Sequence, residues 1–204
     1  MRQTAAGDSA TATVHGTGAA TRVKIWLTWT VFGITAVFTA LGHAVPAVSD
    51  ALARDPAFFD GQIWRLVTPI LVNPQGWGQI FTNGLGLLIF GPIAERVYGQ
   101  ARWIALYLTG GVVGEIYSYA LEYYSAGSSV AIAGLWGGLA AWAIAGSARL
   151  PLPVRVGAGV LLVAGLVLAV DGDNHGAPLL AGAVLGGIFA WRGSLPSVDV
   201  LRDK

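Results

Sequence analysis

The sequence of 204 residues predicts an all-α integral membrane bundle of six transmembrane helices, with a long interfacial loop between the first two. Three observations predict it. Only 11% of the residues are charged and 54% are apolar, with a mean hydropathy of +0.62, whereas a soluble domain carries roughly 25% charged residues. Six stretches approach the ~20 apolar residues that a bilayer crossing needs. The basic residues also fall almost entirely on one side of the resulting layout. This composition excludes a disordered chain, a nucleic-acid binder and an ordinary water-soluble enzyme. With no cysteine there is no disulfide framework, no thiolate nucleophile and no Cys-ligated metal.

The chain divides into a disordered tail over 1–21, a membrane domain over 22–192 and a short polar tail over 193–204. The first tail is an Ala/Thr/Gly/Ser tract without apolar periodicity. It is not read as a signal peptide, because the apolar stretch behind it is too long and no small-residue cleavage site follows. The expected spans are Ile25–Val45, Trp77–Ala94, Trp103–Leu121, Ser128–Ala148, Leu152–Val170 and Gly176–Trp191. Within them Glu115 is a charge deep inside a span, and Arg155 is close enough to an end to snorkel. With both termini cytoplasmic, ten basic residues lie inside: Arg2, Arg22, Lys24, Arg96, Arg102, Arg149, Arg155, Arg192, Arg202 and Lys204. Only Arg54 and Arg65 lie outside. The expected location is therefore the cell membrane, multi-pass, and the excess of Arg over Lys is one associated with GC-rich bacterial genomes.

The connection 47–76 is long enough to have structure or function of its own. Phe58-Phe59, Ile63-Trp64 and Leu66-Val67 make it too apolar for a solvated loop, so it is expected in the membrane interface.

That loop carries Gly61-Gln62-Ile63-Trp64-Arg65-Leu66-Val67-Thr68-Pro69, and its Trp64-Arg65 pair resembles the first-loop signature of the rhomboid family. Gly91-Pro92-Ile93-Ala94-Glu95-Arg96-Val97-Tyr98-Gly99 is similar to the family's segment at the cytoplasmic end of the second helix. Gly134 and Gly137-Gly138, with Gly182 and Gly186, match the glycines that let its fourth and sixth helices pack closely. The resemblance runs from about Gly61 to Trp191 and implies an intramembrane serine protease fold. Active members use a Ser in a Gly-x-Ser-Gly context on the fourth helix and a His on the sixth. A His and an Asn on the second helix stabilise the oxyanion. Aligned on Gly134, the Gly-x-Ser-Gly stretch becomes Ala131-Ile132-Ala133-Gly134 and the nucleophile position is Ala133. Aligned on Gly182 and Gly186, the His-x-x-Gly-x-x-x-Gly stretch begins at Leu179. The oxyanion pair becomes Gln79 and Asn83.

In that register neither dyad position carries acid–base chemistry, and the expectation is a catalytically inactive rhomboid-like protein, a pseudoprotease. Gln79 and Asn83 would hold a carbonyl without cleaving it, and the partners would be the bilayer and transmembrane segments of client proteins. No cofactor and no metal is expected, since Asp173 and His175 are too few to ligate one.

Two enzyme readings stand beside it. Ser129 lies four residues before Ala133 and His175 four before Leu179, so a Ser129–His175 dyad displaced one turn outward is geometrically open. Read blandly, Ser129 caps the fourth helix and His175 is a solvated loop residue. Glu115, an ionisable group inside a span, calls for a partner, for which Gln79, Tyr117, His175 and His43 are the candidates. A Glu115–His175 pair would make a non-proteolytic membrane enzyme. A transporter is disfavoured by the absence of an internal repeat.

Overall fold

The computed structural model describes residues 24–145 and 150–192 and is all-helical over them. The two tails expected at 1–21 and 193–204 lie outside the described residues. In order come α1 (Leu27–Ala44), α2 (Pro46–Leu52), three 3₁₀ turns (Pro56–Phe58, Ile63–Leu66, Thr68–Leu71), α3 (Trp77–Ala120), α4 (Ser129–Ala145), α5 (Leu152–Val170) and α6 (Gly176–Arg192).

The first helix borrows its cap from a distant one. The N-terminal amides of a helix have no intrahelical acceptors, and here Glu95 of α3 supplies them. Its Oε1 accepts from the N–H of Trp26 and Leu27 at 3.1 Å each, and its Oε2 from the N–H and hydroxyl of Thr28 at 3.1 and 3.0 Å. The carboxylate is fully buried, at the positive end of the α1 dipole where a negative charge is favoured.

Two expected spans are one 44-residue helix in the backbone, broken only at Gly99. There φ is +72° with ψ 170°, a conformation open to glycine and strained for other residues. The arms 77–98 and 100–120 therefore fold back on each other through a single residue. Trp103 locks the turn by donating its indole N–H to the Gly91 carbonyl at 3.0 Å.

The centre of the molecule is α4. Twelve of its seventeen residues are buried, and glycines admit its neighbours to backbone contact. A Cβ at Gly134 would press on Gly110 of α3, one at Gly182 of α6 on the Gly134 carbonyl, and one at Gly186 on Gly138. These close approaches bring α3, α4 and α6 together as a tight core. By contrast, α5 is peripheral, with only Ala158 and Gly165 buried.

Large apolar side chains point outward: Trp29, Ile34 and Val37 from α1, Phe81 and Leu85 from α3, and Val160, Val163 and Leu166 from α5. Contiguous exposure on this scale suits hydrocarbon rather than water. Among the described residues two helices, α1 and α5, are long and apolar enough to cross a membrane by length and composition, while α4 and α6 are apolar but shorter.

The connection after α1 is folded. Asp55 caps the first 3₁₀ turn through the Ala57 N–H at 2.9 Å. Trp64 donates to the Ala51 carbonyl at 3.2 Å, and Arg65 donates to the Asp50 and Ala53 carbonyls and to Gln62 Oε1. The Trp64-Arg65 pair thus ties the turns to α2, which accounts for the motif structurally.

Candidate active site

Glycine packing of α4 against α6 sets their N-terminal ends side by side. Ser129 is the first residue of α4, and His175 immediately precedes α6. His175 Nε2 lies 2.9 Å from Ser129 Oγ. On the far side of the ring, Nδ1 lies 2.7 Å from Asp173 Oδ1, which also accepts the His175 backbone N–H at 2.8 Å. Ser129 is half-buried, and His175 and Asp173 are 41% and 44% exposed as side chains. Desolvation pushes the Asp173 carboxyl up, but the hydrogen bonds and charge of His175 outweigh it and hold the group below its ordinary value.

The turn carrying His175 is pinned. Gly172 adopts φ +81°, the Asp173 N–H donates to the Leu168 carbonyl at 2.9 Å, and the Asn174 amide donates to Ser118 Oγ of α3 at 3.0 Å. Ser129 and His175 open onto a cavity of about 350 Å³, also lined by Asn83, Ala133, Trp136 and Leu179. Its wall is mostly apolar, with polar side chains from Thr82, Asn83, Ser129 and His175.

Asn83 donates one amide hydrogen to Asn73 Oδ1 at 2.7 Å. Asn73 is in turn held by Thr39 of α1, and its Oδ1 accepts the Ser128 N–H at 3.4 Å. Gln79 stands back from the cavity. Its amide donates to the Ala126 carbonyl at 2.9 Å, and its Oε1 accepts the Gln75 N–H at 2.9 Å. It therefore holds the approach to Ser129.

Glu115 meets none of the four partners expected of it. Both its oxygens accept from Arg54, Oε2 from Nε at 2.5 Å and Oε1 from Nη2 at 3.0 Å, with both side chains buried. A carboxylate inside the bundle needs a cation, and the connection after α1 delivers one that lies 61 positions away in sequence. Tyr117 instead donates to the Ala169 carbonyl, and His43 packs against Trp77. The alternative Glu115–His175 pair is not formed, since Arg54 takes both carboxylate oxygens and His175 faces Ser129 and Asp173.

Ala133 and Leu179 lie one turn below Ser129 and His175, 4% and 3% exposed. The register that selected them was anchored on Gly134 and Gly182, which are each other's packing partners in the structure. A second register was available in the residues. Gly127-Ser128-Ser129 is itself a Gly-x-Ser, followed by Val130 in place of the last glycine. His175-Gly176-Ala177-Pro178-Leu179-Leu180-Ala181-Gly182 keeps the His and the second glycine of its pattern, with Pro178 at the first.

Residues 60–194 match the Rhomboid domain family model. The chain is 36% identical over 106 residues to a putative rhomboid protease, YdcA, of Bacillus subtilis, covering 48% of this chain and 53% of that one. It is 32% identical over 136 residues to the rhomboid protease GluP of the same organism, covering 64% of this chain and 26% of that one. A shorter match, 37% over 59 residues and 29% of this chain, covers 13% of the chloroplastic RHOMBOID-like protein 9 of Arabidopsis thaliana. The chain thus spans about half the length of the first relative and a quarter of the second. With a family match over most of its length and an all-helical bundle to carry it, the chain belongs to the rhomboid family of membrane proteins.

Proposed function

We propose that this protein is an intramembrane serine protease in which Ser129 is the nucleophile and His175 the general base. The observation that carries the reading is the 2.9 Å contact between Ser129 Oγ and His175 Nε2 at the edge of an apolar cavity. A serine hydroxyl is a weak nucleophile until an adjacent base takes its proton. His175 Nε2 removes that proton as Oγ attacks a substrate carbonyl. The imidazolium then protonates the leaving amine, and water releases the acyl group by the same steps in reverse. The second N–H of Asn83, beyond the one given to Asn73, is a donor for the oxyanion. The substrate class is a transmembrane segment, entering from the bilayer between the exposed faces of α3 and α5. In this reading all six helical segments cross with both termini cytoplasmic, an orientation that the arginine distribution supports.

Two departures favour a second reading, a rhomboid that binds clients without cutting them. Val130 stands where active members carry a glycine, and Gln79 stands where they carry an oxyanion His, with its amide already engaged.

Cleavage of a single-span substrate in liposomes, together with fluorophosphonate labelling, separates the two. The expected result is cleavage and labelling by the wild type. Both fall by about 10³-fold or more in Ser129→Ala and His175→Ala, and Ala133→Ser does not restore them in the Ser129→Ala background. A folded wild type that neither cleaves nor labels, yet cross-links to the substrate through the cavity, overturns the protease reading in favour of client binding.

A further inference from the structure

We infer that Asp173 is a positioning residue that extends the Ser129–His175 pair into a three-residue relay. The inference rests on the protease reading above. A histidine acts as a base toward serine only when its Nε2 presents a lone pair, which requires the proton to sit on Nδ1. Asp173 Oδ1 stands 2.7 Å from Nδ1, and a carboxylate, an acceptor only, selects that tautomer. The same oxygen accepts the His175 backbone N–H at 2.8 Å, so one bond fixes the carboxylate on the chain and the other fixes the ring on the carboxylate.

The support beneath it is independent of the ring. The Asp173 N–H is bonded to Leu168 at the end of α5, and the neighbouring Asn174 side chain is bonded to Ser118 on α3. Asp173 therefore refers the imidazole plane to two helices that His175 does not belong to. The carboxylate is held below its ordinary range, so it remains an anion wherever the histidine can serve as a base. During attack the Ser129 proton moves to Nε2, the Nδ1 proton stays in place, and Asp173 faces the imidazolium that results.

Because Asp173 and His175 are both part-exposed, the effect is screened. Asp173→Asn keeps an oxygen for both bonds and removes the charge, and lowers kcat roughly three- to fivefold with KM unchanged. Asp173→Ala removes the acceptor as well, and lowers kcat and the fluorophosphonate labelling rate by about tenfold or more. Nitrogen-15 NMR of histidine-labelled wild type in micelles is expected to show the Nδ1–H tautomer at His175. That preference is lost in Asp173→Ala and kept in Asp173→Asn, a readout that general loosening of the turn would not produce selectively.

If Ser129→Ala retains activity, the protease reading itself fails. If Ser129→Ala and His175→Ala are inactive but both Asp173 variants match the wild type, only the relay fails. A wild-type Nε2–H tautomer overturns the relay even where Asp173→Ala does not fold.

Discussion

At the residue scale, the pairing of Arg54 with Glu115 shows how a charge is tolerated inside the bundle. Arg54 gives two N–H groups to the carboxylate and a third to the Tyr123 carbonyl, while its own backbone N–H goes to the Ser125 carbonyl. One guanidinium therefore clamps the segment that leads into Ser129. Removing one member of a buried pair strands the other charge and typically costs about 3–5 kcal/mol. Arg54→Met should lower the melting temperature in detergent by several degrees and reduce Ser129 labelling as the clamp releases. The double variant Arg54→Met, Glu115→Leu should recover most of the thermal stability without recovering the labelling. Full labelling in the single variant would show that the clamp does not reach the nucleophile.

At the scale of elements, the contact between α4 and α6 decides the geometry of the site. Two backbones that touch at Gly134–Gly182 and Gly138–Gly186 cannot slide past each other by a fraction of a turn without a clash. Their N-terminal residues are held in register as a result. Gly182→Ala forces a methyl group against the Gly134 carbonyl, and overpacking of this kind costs roughly 1–3 kcal/mol. It should destabilise the protein and separate Ser129 from His175. Gly187 on the same helix meets nothing within 4 Å, so Gly187→Ala is the matched control and should be neutral or slightly stabilising. Equal thermal shifts in the two variants would remove close packing as the cause.

At the scale of the whole molecule, the expected arrangement places the Ser129–His175 end outward and the turn at Gly99 toward the cytoplasm. The chain has no cysteine, so single cysteines report topology without a background. Cysteines at Asp171 and Tyr124 should react with an impermeant maleimide on intact cells. A cysteine at Gln100 should react only after permeabilisation. Labelling of Gln100→Cys from outside would invert the bundle and place the proposed site on the cytoplasmic face.

The helical class, the membrane character and the family were legible in the residues alone, because hydropathy and short-range motifs are local properties. The sequence also offered Ser129 and His175 as an alternative pair one turn outward of Ala133 and Leu179, but spacing alone does not show that the two side chains meet. Gly134 and Gly182 are strong signals in the text of the chain, and alignment on them puts the dyad positions at Ala133 and Leu179, one turn inward of that pair. In three dimensions those glycines serve contact between helices, and Ser129 meets His175 where the helices begin. The partner of Glu115 was equally hidden, since Arg54 reaches it from a connection 61 residues distant. Which groups meet is a property of how the helices pack, and that depends on many weak contacts acting together rather than on any spacing along the chain.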